Sequence, residues 1–197
     1  MPRRLSPWWI TCILSSPILT GPPADAPRTF VSVAPVATRQ GATASPSISK
    51  AADLWPKVQI RDPVTRDATR RALDNAARWL SAAQCARLFS EFQDADGQPL
   101  DARLGQLQST PGGYLRLVYF QDGELTQTCR RHGILAFTQV GSRVVYVCGR
   151  DFARAWNKQP REVVATLIHE MLHSLGLGEN PPTPRDISER VQRLCWQ

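Results

Sequence analysis

The sequence predicts an α+β fold on three observations. Apolar residues recur at helical spacing over 62–92, β-formers crowd the segment 114–148, and helical spacing returns from 160 to 194. That order implies N-terminal helices, a small and mostly antiparallel sheet, a long helix after it, and a C-terminal helix.

Each element has its own signal. Over 62–80, Val64, Ala68, Ala72, Leu73, Ala76, Ala77 and Leu80 repeat at three and four. Asp62-Pro63 opens that helix, because an aspartate caps free amides and proline suits the first helical turn. A second helix over 82–92 carries Cys85, Leu88, Phe89 and Phe92 on one side, and Asp94-Ala95-Asp96-Gly97 breaks it. The segment 114–120 reads as a strand ended by the turn residues Gln121-Asp122-Gly123-Glu124. Segments 134–140 and 143–148 flank Gly141-Ser142 and read as a hairpin. Helix is expected again over 151–156, from 160 to 175 after Pro160, and over 185–194.

A length of 197 residues suits one domain with a tail. The domain is expected over 53–197. Residues 27–52 are rich in Pro, Ala, Ser, Thr and Val and read as a linker. Residues 1–26 have the pattern of a secretory signal: Arg3 and Arg4, then an apolar run over 8–19, then the small residues of Ala24-Asp25-Ala26. No apolar run reaches the ~18 residues of a membrane-spanning helix, so no stable span is expected. Losing Cys12 with the signal leaves Cys85, Cys129, Cys148 and Cys195. Four cysteines allow three pairings, and two disulfides point to a secreted or periplasmic protein. The net charge of +7 is spread along the chain without a basic run interleaved with aromatics. Nucleic acid is therefore not an expected partner.

The chemistry concentrates in His169-Glu170-Met171-Leu172-His173. On a helix, residues four apart share a face, so both imidazoles can grip one zinc ion. Glu170, beside the first ligand, can take a proton from a water activated by Zn2+. Val163, Val164, Leu167, Ile168, Met171, Leu172 and Leu175 give the helix an apolar face, with the histidines at its edge. A catalytic zinc takes a third protein ligand. Glu179 is the first candidate, because Gly176 can end the helix and let the chain turn back over Leu177-Gly178. Glu189, on the next helix, is the rival.

The string His169-Glu170-Met171-Leu172-His173-Ser174-Leu175-Gly176-Leu177-Gly178-Glu179 resembles the zincin metallopeptidases, and within them the metzincin pattern HExxHxxGxxH. Glu179 stands where that pattern ends in His. The only methionines are Met1 and Met171, so no Met-turn follows. The resemblance spans eleven residues and implies a zincin-like fold, a zinc cofactor and hydrolysis of peptide bonds, with a peptide or protein as substrate. It also implies that substrate pairs with an edge strand, for which the hairpin over 134–148 is the candidate. Tyr146, His132 and Tyr114 are candidates for polarising the scissile carbonyl. Two alternatives stay open: a zinc amidase or carboxypeptidase acting on cell-wall peptides, and a non-catalytic zinc-stabilised binding module.

Overall fold

The computed structural model describes residues 56–196; the expected signal, the linker and the domain start near 53 lie outside the described residues. Strand β1 is Lys57–Gln59. Asp62 then starts helix α1, Pro63–Leu80, as its sequence predicts: its carboxylate accepts from the Thr65 backbone amide at 2.7 Å, and Pro63 occupies the first turn. The Thr65 hydroxyl, which donates to the same carboxylate at 2.6 Å, and then the Thr65 amide hold the Asp62 carboxyl below its ordinary pKa. Helix α2, Ala83–Glu91, turns Cys85, Leu88 and Phe89 inward, matching the expected face.

Two short helices follow that the sequence does not announce, α3 at Leu100–Gln106 and α4 at Pro111–Leu115. The second corrects the expected strand over 114–120. Thr110 caps it by accepting from the Gly113 amide at 3.0 Å, and Pro111 fits its first turn. Tyr114 and Leu115 are buried there. Burial and local capping thus override the β-preference of the segment, and β2 occupies only Tyr119–Asp122.

The chain then crosses a loop containing a single 3-10 turn, Thr128–Arg130. It returns as β3, Ala136–Thr138, and β4, Val144–Val147, the expected hairpin. Helices α5 (Gly149–Lys158), α6 (Pro160–Ser174) and α7 (Pro184–Cys195) complete the fold. Helix α7 opens on a capping box, with Thr183 and Asp186 bonding each other's backbone amides.

Among the described residues the sheet has the order β1-β2-β4-β3. β1 pairs with β2 and β2 with β4 in parallel, and only β3–β4 is antiparallel. The expectation of a mostly antiparallel sheet is therefore corrected to a mixed one. The reason is connectivity: α1 to α4 form the crossover between β1 and β2, and a helical crossover returns the chain in the same direction. The loop after β2 then carries the chain to the far edge before it doubles back through β3 into β4.

Helix α6 is central, packing against α1, α5, α7, β3 and β4. Its residues from Val163 to Ser174 are buried except Thr166. Two disulfides cross-link the fold, Cys85–Cys195 joining α2 to α7 and Cys129–Cys148 joining the long loop to the end of β4. Among the described residues, no helix is long and apolar enough to cross a membrane.

Candidate metal centre and cleft

Helix α6 ends in a hydrogen-bonding pattern set by one glycine. Leu175 closes the last helical turn, Gly176 adopts φ +115°, and the amides of Gly176 and Leu177 donate back to His173 O and Leu172 O at 3.0 and 3.1 Å. This is a Schellman turn, and it needs a residue tolerant of positive φ. A Cβ on Gly176 would also lie 3.0 Å from the Asp94 Cβ. The turn does two things for the site. It aims the Leu177 carbonyl at His173, whose Nδ1 donates to it at 2.7 Å. It also brings Glu179 back over the helix end.

The three ligand candidates meet. His169 Nε2 lies 2.8 Å from His173 Nε2, and Glu179 Oε1 lies 3.0 Å from His173 Nε2 and 3.6 Å from His169 Nε2. The three ligand atoms fall within 4.8 Å of one another, so His169, His173 and Glu179 could hold a metal ion. The donation from His173 Nδ1 leaves the lone pair of that ring on Nε2, facing the group. His169 Nδ1 is engaged at 3.0 Å by the hydroxyl of Ser188 on α7. Both rings are thus held from behind, as metal-binding imidazoles commonly are.

Glu170 is buried beside His169 and lines the same cleft, whose volume is about 510 Å³. Burial pushes its carboxyl up to about 8, the Thr138 backbone amide offsets part of this, and the charge of Glu179 adds to it. Burial, then the neighbouring charge of His173, push His169 down to about 4, against a pull upward from Glu179. Edge strand β3 forms one wall, with Ala136, Phe137 and Thr138 lining the cleft. The hairpin is pinned to α6 by the Gly141 amide, which donates to His173 O at 2.9 Å.

The other candidates lie elsewhere. Glu189 is exposed on α7 and pairs with Arg185 at 2.6 Å. His132 is exposed and does not line the cleft, although its neighbours Arg131 and Gly133 do. Tyr146 stacks on Phe137 with ring centroids 5.1 Å apart and is also absent from the cleft wall. Tyr114 is buried behind α6, its hydroxyl donating to Ser174 O at 3.0 Å. Ser188 and the Leu177 carbonyl are the site residues that sequence reasoning missed. Neither has a signature, since a serine on an amphipathic helix and a backbone carbonyl gain meaning only from the fold.

No protein-family model matches the chain, and neither a curated protein nor a solved structure matches it significantly.

Proposed function

We propose that this protein is a zinc-dependent hydrolase of peptide bonds, an outlying zincin acting in a secreted or periplasmic setting. The observation that carries the reading is a triangle of two imidazole nitrogens and a carboxylate oxygen sharing one cleft with a buried glutamate.

The donor set suits zinc. Ligand atoms ~2.0–2.1 Å from a tetrahedral ion stand roughly 3.3 Å apart. The observed separations of 2.8, 3.0 and 3.6 Å bracket that value. Two histidines and one carboxylate are also the ligand complement of a catalytic site that keeps a position open. Bound there, zinc would lower the pKa of a water toward ~7 and polarise a carbonyl oxygen.

The chain's own residues supply the rest. Ser188 and Leu177 O hold the two rings so that both Nε2 atoms converge. Glu170, one residue from the first ligand, accepts a proton from the attacking water and passes it to the departing amine. Burial alone keeps Glu170 protonated near neutrality, whereas a neighbouring dication favours its carboxylate form. The outer edge of β3 offers backbone groups for pairing with an extended peptide along the cleft. Two disulfides support export to an oxidising compartment.

The test is metal content together with one variant. Purified protein should hold about one zinc per chain by elemental analysis. Glu170→Gln should keep the metal and lose hydrolysis of a peptide library. Hydrolysis undiminished in Glu170→Gln removes the glutamate from the mechanism, and a chain that takes up no zinc removes the proposal itself.

A further inference from the structure

A second cavity, of about 570 Å³, adjoins the cleft and lies between the N-terminal end of α6 and the C-terminal end of α7. The two spaces share Glu162, Thr166 and Ser188 as lining, so they form one continuous groove. Its far wall carries Lys158, Arg161 and Trp196. The Arg161 guanidinium lies over the Trp196 ring, 3.4 Å from its centroid. Among the described residues, neither Lys158 nor Arg161 has a carboxylate within ion-pair distance.

We propose that this cavity is a substrate subsite that selects a carboxylate three to four residues away from the scissile bond. The inference rests on the cleft being a peptide-binding site. The distance follows from two contacts between the antiparallel helices α6 and α7. His169 meets Ser188 at one end, and Arg161 meets Trp196 at the other. Eight residues separate these contacts on each helix, which is roughly 12 Å at ~1.5 Å per residue. An extended peptide covers that span in three to four residues, at ~3.3 Å each.

Charge gives the groove a direction. Glu162, at the junction with the cleft, repels an anion, while the far end is doubly cationic. The N-terminal end of the α6 dipole adds partial positive charge there. Stacking on Trp196 fixes the plane of the Arg161 guanidinium and leaves its edge to donate paired hydrogen bonds, the geometry a carboxylate accepts best. The C-terminal carboxylate of a single-residue leaving group stays about one residue length from the scissile carbonyl, well short of this wall. The ligand is therefore an Asp or Glu side chain of the substrate, or the terminal carboxylate of a peptide ending three to four residues on.

Binding tests this separately from catalysis. The full chain carrying Glu170→Gln and loaded with zinc is titrated with fluorescent peptides that differ only by Glu against Gln at each position in turn. A second set differs by a free or amidated C-terminus. One position three to four residues from the cleavage point should favour Glu by about tenfold, with the preference shrinking at high salt. The amidated set shows whether a terminal carboxylate serves equally. Arg161→Gln with Lys158→Gln should reduce the preference below about twofold, and Arg70→Gln, on the exposed face of α1, should leave it intact. Equal affinity for Glu and Gln peptides at every position, with hydrolysis by the wild type intact, overturns the subsite alone. A Glu preference without hydrolysis by the wild type supports the subsite and overturns the catalytic reading.

Discussion

Removing the two disulfides separately should destabilise the protein unequally, because they close loops of very different length. Cys85–Cys195 spans 110 residues and Cys129–Cys148 spans 19. Chain entropy then gives about 4.8 kcal/mol for the long loop and about 3.2 kcal/mol for the short one at 25 °C. Burial widens the gap. Cys85 and Cys195 are 0% and 1% exposed, so replacing both by alanine removes two packed sulfurs from the core, whereas in the other bridge only Cys148 is buried and Cys129 is half-buried. For a folded region of about 140 residues, these energies correspond to losses in Tm of roughly 16 °C and 11 °C. The assay is urea and thermal unfolding of Cys85→Ala/Cys195→Ala against Cys129→Ala/Cys148→Ala, both without metal. The long-loop variant should also lose more zinc affinity. Ser188, which holds His169, lies seven residues before Cys195 on α7 and depends on that helix staying in place. A short-loop variant as unstable as the long-loop one would refute the argument.

Four further outcomes are expected. Ser188→Ala should weaken zinc binding by about 10- to 100-fold in competition with a chromophoric chelator, as losses behind a ligating histidine do. Glu189→Ala should change it less than about twofold, because Glu189 is engaged by Arg185 outside the cleft; the reverse order would give Glu189 the ligand role. Gly176→Ala should cost about 1–3 kcal/mol in urea unfolding and lower zinc affinity, because φ +115° and the 3.0 Å approach to Asp94 both penalise a Cβ. The metal-free protein should lose stability as pH rises towards about 8. The unfolded chain releases the Glu170 proton near 4.5 and the folded one holds it to about 8, so the contribution is complete below 4.5 and fades above it. His169 acts oppositely and lower: folding resists its protonation until about 4, so its contribution is lost as pH falls from 6.5 to about 4. Tm measured between pH 6.5 and 8.5 should therefore fall more in wild type than in Glu170→Gln, and parallel profiles would contradict the burial argument.

What the sequence reveals follows the range of the interactions involved. Helices α1, α2, α6 and α7 were legible because spacing, caps and prolines are local signals, and Asp62-Pro63 alone locates the start of α1 to the residue. The clustering of His169, His173 and Glu179 is legible for the same reason, since these candidate ligands lie within eleven residues joined by one helical turn and one glycine reversal. The 114–118 segment departs from its β-preference because a local cap at Thr110 acts together with a distant contact, the Tyr114 hydroxyl donating to Ser174 O sixty residues on, and periodicity records neither. Sheet direction was illegible because no residue records it; it follows from β1, a three-residue strand too short to show a period, pairing across the whole helical crossover. Disulfide pairing was open among three choices and is settled by packing, with α2 and α7 in contact at Cys85 and Cys195.

The same division between local and distant explains why the cleft needs both bridges. The candidate ligands and the Leu177 carbonyl that orients His173 come from one short segment, but Ser188 and most of the cleft walls come from elsewhere in the chain. Ser188 arrives on α7, which Cys195 ties to α2. Arg131, Gly133 and Ile134 arrive on the long loop, which Cys129 ties to the end of β4. That loop contains little regular structure and buries few apolar side chains, so packing alone holds it weakly. Each disulfide thus fastens one wall of the cleft, and a cluster that local sequence can assemble becomes a site of defined shape only through contacts between distant parts of the chain.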